Sequence, residues 1–261
     1  MVFRVEVTML TNGGNPSGAR WLKAELHSHC SLDPVDFRVC RHSPEELIAK
    51  AAGLGYEVLA ITCHDLDIWN RGLSDYARGL GITLIPGMEV TAERTRHTLV
   101  YNFGTGAENL NSLDKIRKRV REDTLVIAPH PYFLGRMCLR GLLEANIDLF
   151  DAIEHSGFFA RGLDFNRRAR AVAKKQGKPL VGNGDVHYLW QLGKTCTWIY
   201  AEPDLLSVID AVKRGLVRVD ARALSHLDVF RWFPTTLWHY LFPVNPVPVR
   251  PGTGPVATDL P

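Results

Sequence analysis

Residues 25–33, Glu25-Leu26-His27-Ser28-His29-Cys30-Ser31-Leu32-Asp33 (ELHSHCSLD), close an apolar run that begins at Leu22. In an extended chain residues i and i+2 point the same way, so His27 and His29 can face one ion as the chain leaves a strand. A lone His-x-His is weak, because histidines also stand at strand ends without a role. Its meaning depends on what the other strand exits supply.

Apolar runs and helical patterns alternate along the chain. Strands are expected at Leu22–Leu26, Val58–Thr62, Thr83–Pro86, Thr98–Phe103, Leu125–Ala128, Phe150–Ile153, Pro179–Gly182 and Thr197–Ala201. The clearest helix opens at Ser43-Pro44-Glu45-Glu46, where Ser43 and Glu46 form a capping box and Pro44 suits the first turn. Leu47, Ile48 and Ala51 make its buried stripe, and Gly53 and Gly55 mark its end. Further helical patterns cover Leu73–Leu80, Leu113–Arg121, Leu139–Ala145, Leu163–Gln176 and Asp204–Arg214. Repeated β-α units predict a mainly parallel sheet, and eight short strands in 261 residues favour a TIM-like barrel over an open doubly wound sheet.

Composition sets outer limits. A net charge of +3 argues against a dedicated nucleic-acid-coating surface yet permits an anionic substrate. Cysteines 30, 40, 63, 138 and 196 form no CxxC pair and read as reduced thiols of a cytoplasmic protein. The opening MVFRVEVTML alternates like a strand, with Phe3–Leu10 as a lead strand, and does not resemble a signal peptide. No apolar run approaches the ~20 residues that cross a bilayer. Residues 1–242 are expected to form one domain with an aromatic cap at 230–242, followed by a Pro/Gly-rich tail at 243–261. Oligomeric state is not legible.

The residues beside successive apolar runs share one chemistry. They are His27 and His29, then Cys63-His64-Asp65, Glu89, His97, His130, Glu154-His155, and Asp185 with His187. In a parallel barrel such exits gather on the C-terminal rim, where active sites sit. Many imidazoles and carboxylates brought together are hard to explain as packing. Divalent ions resolve them, and neutral imidazole with carboxylate suits zinc, manganese or iron.

Five stretches in order, ELHSHC, AITCHD, IPGMEVT, APHP and NGDVH, resemble the motifs of the polymerase and histidinol phosphatase (PHP) family across roughly residues 22–220. The resemblance implies a distorted (β/α)7 barrel with two or three metal ions at its C-terminal rim, and phosphoester hydrolysis. It implies that His27, His29, Glu89 and Asp185 hold one ion. Glu89 would bridge to a second, bound also by His97 and His130. A third would be held by His64, His187 and a loop aspartate, either Asp33 or Asp36, with Asp33 slightly favoured. His27, His29, Glu89 and Asp185 would carry catalysis. Two positions depart from the family: Cys63 stands where aspartate is usual, leaving Asp65 as a possible replacement, and Cys30 where threonine is usual.

Such a centre would lower the pKa of a bound water and hold phosphoryl oxygens. Arg136 and Arg161, in expected rim loops, could bind a further phosphate oxygen, and His155 could line the substrate. The expected substrate is a small phosphorylated molecule or a short nucleic acid, with no membrane partner. The alternatives are a metal-dependent amide or lactone hydrolase and a non-catalytic metal- or ligand-binding module.

Overall fold

The computed structural model describes residues 2–5, 18–104 and 106–232. Its strands are β1 (Val2–Val5), β2 (Arg20–Glu25), β3 (Val58–Ala60), β4 (Thr83–Ile85), β5 (Gly87–Ala92), β6 (Arg96–Tyr101), β7 (Leu125–Ala128), β8 (Ala152–Ser156), β9 (Leu180–Asn183), β10 (Thr195–Ala201) and β11 (Val217–Arg222). The α-helices are α1 (Pro44–Gly53), α2 (Arg71–Gly79), α3 (Leu113–Arg117), α4 (Gly141–Ala145), α5 (Asn166–Gln176) and α6 (Leu205–Lys213). Residues 226–232 are also helical. The capping box at Ser43 and Glu46 forms as expected. Asn70, Ser112 and Asp204 cap α2, α3 and α6 with their side chains.

The expected distorted (β/α)7 TIM-like barrel is not what these strands build. They form two mixed sheets, one in the order β1-β11-β10-β2-β3-β4 and one in the order β5-β6-β7-β8-β9, with no closed barrel among the described residues. The reason lies in the connections. Only Pro86 separates β4 from β5, so no helix returns the chain, and proline offers no N–H to extend a ladder. β5 and β6 then pair antiparallel as a hairpin, β6 and β7 are antiparallel, and β10 is antiparallel to both β2 and β11. The β-α alternation survives only in the parallel pairs β2–β3, β3–β4, β7–β8 and β8–β9.

The sheets meet along two seams. At one, an isolated parallel bridge joins His64 to Glu89, with Asp65 N–H donating to Glu89 O at 2.9 Å. At the other, Ser28 bridges Val186; His29 N–H donates to Val186 O at 2.9 Å and Val186 N–H to His27 O at 3.1 Å. Farther along, the Thr197 hydroxyl accepts from Gly182 N–H and donates to Gly182 O, both at 2.8 Å, so a side chain spans β9 and β10. Glycine is required there, because a Cβ at 182 would stand 2.6 Å from Val219 Cγ1.

Leu22, Ala24, Ile85, Leu99, Ile127 and Ile199 pack between the sheets, and Val208 and Val212 of α6 join that core. The opposite side chains of β7, Val126 and Ala128, pack with α5 through Ala169 and Val172. The strands are buried on both sides, as near-continuous apolar runs require. The expected lead strand 3–10 is seen only as Val2–Val5; the rest of it, and residues 233–261 with most of the expected cap and all of the tail, lie outside the described residues.

Candidate metal centre

Glu89 lies within β5, not after a strand as the sequence reading placed it, and five imidazole nitrogens surround its carboxylate. Oε1 faces His97 Nδ1 at 2.7 Å and His130 Nε2 at 3.2 Å. Oε2 faces His27 Nε2 at 3.2 Å, His64 Nε2 at 3.2 Å and His29 Nε2 at 3.4 Å. Asp185 Oδ1 lies 3.3 Å from both His27 Nε2 and His29 Nε2, and 3.5 Å from His187 Nδ1. His187 Nε2 faces Asp36 Oδ2 at 3.0 Å. All nine expected ligand positions, with Asp36, therefore converge. Asp185 and His130 do so from positive φ, 48° and 27°, where non-glycine backbone is strained.

Three carboxyl or amide groups stand behind these rings. Asp33 takes His29 Nδ1 at 2.8 Å, His64 Nδ1 at 3.0 Å and the N–H groups of Val35, Asp36 and His64, so its oxygens are already engaged. Glu154 takes His27 Nδ1 at 2.9 Å, and Asn183 sits beside it. Asp65 accepts from Thr91 N–H at 2.7 Å and secures β5; the carboxylate on His64 Nδ1 is that of Asp33. Cys30 and Cys63 are buried with their Sγ atoms 3.5 Å apart, and the Cys30 thiol and burial hold the Cys63 thiol far above its ordinary value. His42 Nε2 lies 2.8 Å from His29 O and is not turned toward the cluster.

Burial disfavours the His27 imidazolium, but Asp185, Glu89 and Glu154 outweigh it and raise its pKa well above the usual value. The same balance, burial against Asp33 and Glu89, raises His64, and burial against Cys138 and Glu89 raises His130. Burial is outweighed at His187 by Asp185 and Asp36, which push it up to about 9. Burial alone would raise Glu89, yet His97, His27 and His64 hold it well below the usual carboxylate range. Burial lowers His97. In the metal-free cluster His27, His64, His130 and His187 thus favour the imidazolium form beside carboxylates, whereas His97 favours the neutral form.

The residues fit divalent ions. His29 Nε2 and His97 Nδ1 are buried and make no hydrogen bond, although carboxylate oxygens lie close to both. Buried polar atoms rarely stay unpaired, and nitrogens aimed at carboxylates without hydrogen-bond alignment suit a shared cation. Overlapping sets of donor atoms lie within 4.8 Å of one another: His27, His29 and Glu89; His27, His130 and Asp185; His64, Glu89 and His97; His29, Asp185 and His187; and His29, Asp33, Asp36 and His64.

The expected substrate residues are not among these donors. His155 is buried, with its ring against Phe159 at 5.1 Å and Nε2 3.4 Å from Arg170 of α5. Burial, then Arg170, lowers its pKa to about 4. Arg136 and Arg161 are exposed in the loops after β7 and β8. The sequence reading gave Glu154 no role; its place beside the β8 exit was the available signal.

Fold and site together place a buried cluster of His, Asp and Glu side chains, suited to divalent ions, between the two sheets. A PHP-associated family profile matches residues 164–217. The fold resembles that of a two-domain protein from Bacteroides vulgatus ATCC 8482 containing a predicted PHP-like metal-dependent phosphoesterase, with TM-score 0.58, 17% identity, and 88% of this chain and 74% of that chain covered. It also resembles PsfC from Pseudomonas syringae PB-5123, with TM-score 0.51, 15% identity, and 85% and 98% covered. No curated protein matches the chain significantly. The profile match and the five ordered motifs point the same way, to a resemblance to the PHP family.

Proposed function

We propose that the protein is a metal-dependent phosphoesterase whose ions sit among the residues gathered on Glu89. The observation that carries this reading is the division of its carboxylate, with Oε2 toward His27 and His29 and Oε1 toward His97 and His130. Two ions can share Glu89 in that arrangement, the first completed by Asp185. His64, His187 and Asp36 are the further donors, because Asp33 is saturated and better placed to orient His29 and His64. Divalent ions bound there would supply an activated water and positive charge for a phosphoryl group. The chain's own part is to hold neutral imidazole nitrogens inward and keep the carboxylates from protonating. Exposed Arg136 and Arg161 can meet the rest of an anionic substrate, a small phosphorylated molecule or a short nucleic acid.

The test is metal analysis combined with hydrolysis of phosphomonoesters, phosphodiesters, amides and lactones by apo and reloaded protein. Phosphoester turnover lost on chelation and regained with manganese or zinc is expected. Turnover that survives full chelation, or hydrolysis of amides or lactones alone, would overturn it.

A further inference from the structure

Glu154 is fully buried on β8, and three donors converge on its carboxylate. His27 Nδ1 and Asn183 Nδ2 meet Oε2 at 2.9 Å and 3.2 Å, and His130 N–H meets Oε1 at 3.2 Å. The Asn183 amide cannot turn round without loss, because its Oδ1 accepts Leu26 N–H at 3.2 Å. The His27 ring stands between Glu154 and the donor cluster, its Nδ1 facing the Glu154 carboxylate and its Nε2 pointing at Glu89 and Asp185.

We propose that Glu154 is a positioning residue that sets two metal-ligand histidines from the two sheets at once; this rests on the metal-centre reading above. Its carboxylate fixes the proton of neutral His27 on Nδ1, which leaves the Nε2 lone pair directed inward. A carboxylate behind a ligating imidazole raises its basicity and fixes its orientation. The other oxygen holds the main-chain N–H of His130, whose φ of 27° is a conformation this residue type rarely adopts unaided. His27 follows β2 of one sheet, and His130 follows β7 of the other. Glu154 therefore controls the ring orientation of one ligand and the backbone of the other, and through them the spacing across the centre.

Glu154→Gln is the sharpest variant. An amide has one acceptor oxygen and one donating nitrogen, so it cannot receive all three donors. If the nitrogen faces His27, Nδ1 must become an acceptor, and the proton moves to Nε2 where the ion should bind. If it faces His130, two N–H groups oppose each other. Zinc affinity, measured by competition with a chromophoric chelator, is expected to fall roughly 10–100-fold. Far-UV circular dichroism and the melting temperature of the metal-free protein should stay close to wild type. Glu154→Asp, which keeps the acceptor charge, should recover part of the affinity. Nitrogen NMR of zinc-loaded wild type, which needs no variant to fold, should show His27 protonated on Nδ1. An unchanged zinc affinity in Glu154→Gln, or His27 protonated on Nε2 in the wild type, overturns the positioning role while leaving the metal centre intact. Wild-type protein that takes up neither zinc nor manganese overturns both.

Discussion

Five imidazoles around one carboxylate make Glu89 the residue whose loss should spread furthest. Glu89→Ala is expected to remove more than one metal equivalent after dialysis, because each of its oxygens faces a different set of histidines. Unchanged stoichiometry by elemental analysis would exclude bridging. His187 carries a pH prediction for the metal-free protein. Its pKa is raised from 6.5 to about 9 by Asp185 and Asp36 against burial, so its pairing stabilises the fold fully below the unfolded value. That contribution, on the order of 3 kcal/mol, is lost as pH rises from 6.5 through 9. The depressed carboxylates are ionised in both states across this window and add no slope. Urea melts of metal-free protein at pH 6, 7.5 and 9 should therefore show falling stability. Excess zinc should remove the part of this fall that His187 contributes, because ions take neutral imidazoles and release protons. Flat stability in the apo form would mean that His187 is not paired as described.

At the scale of elements, the close approach of β9 and β10 is the feature most exposed to a single change. Gly182→Ala would drive a Cβ to 2.6 Å from Val219 Cγ1 and 3.1 Å from Cys196 O, both inside the core. A loss of about 1–3 kcal/mol is expected, the usual cost of overpacking, and equilibrium denaturation measures it. No loss would show that the strands can part there. The same elements show what the sequence made legible. The residues that converge on Glu89 could be read because each chemistry-bearing residue stands beside a short apolar run, whatever sheet that run joins. The barrel could not, because β-α alternation says nothing about direction once a helix is missing. Met88, Val90 and Ala92 alternate with Glu89 and Thr91, the period of a half-buried strand, but Pro86-Gly87 read as the end of β4. Val217, Val219 and Ala221 alternate with Arg218, Asp220 and Arg222 in the same way, and β11 was also missed. Asp33 and Asp36 could not be separated in sequence, since only the folded loop shows which carboxylate meets His29 and which meets His187.

For the whole molecule, ions that bind only the folded state must stabilise it. Each site at a hundredfold excess over its dissociation constant contributes roughly 2.7 kcal/mol, so loading should raise the melting temperature by several degrees or more. Calorimetry of chelated and reloaded protein checks this; equal melting temperatures would mean no ion binds. No helix among the described residues is long and apolar enough to cross a membrane. The two seams give loading a mechanical meaning as well. Each is fastened by bridges at His64–Glu89 and Ser28–Val186, beside the donors that ions would draw together. If ions occupy the centre as proposed, they are expected to act as a latch between the two sheets, and chelation should loosen the seams while leaving each sheet folded. Deuterium exchange should record this as faster exchange of the Asp65 and Val186 amides after chelation, with the β7–β8 ladder unchanged. A protease should likewise find the unlatched edge at Pro86 before any strand interior, and equal exchange with and without ions would show that the two sheets hold together by packing alone.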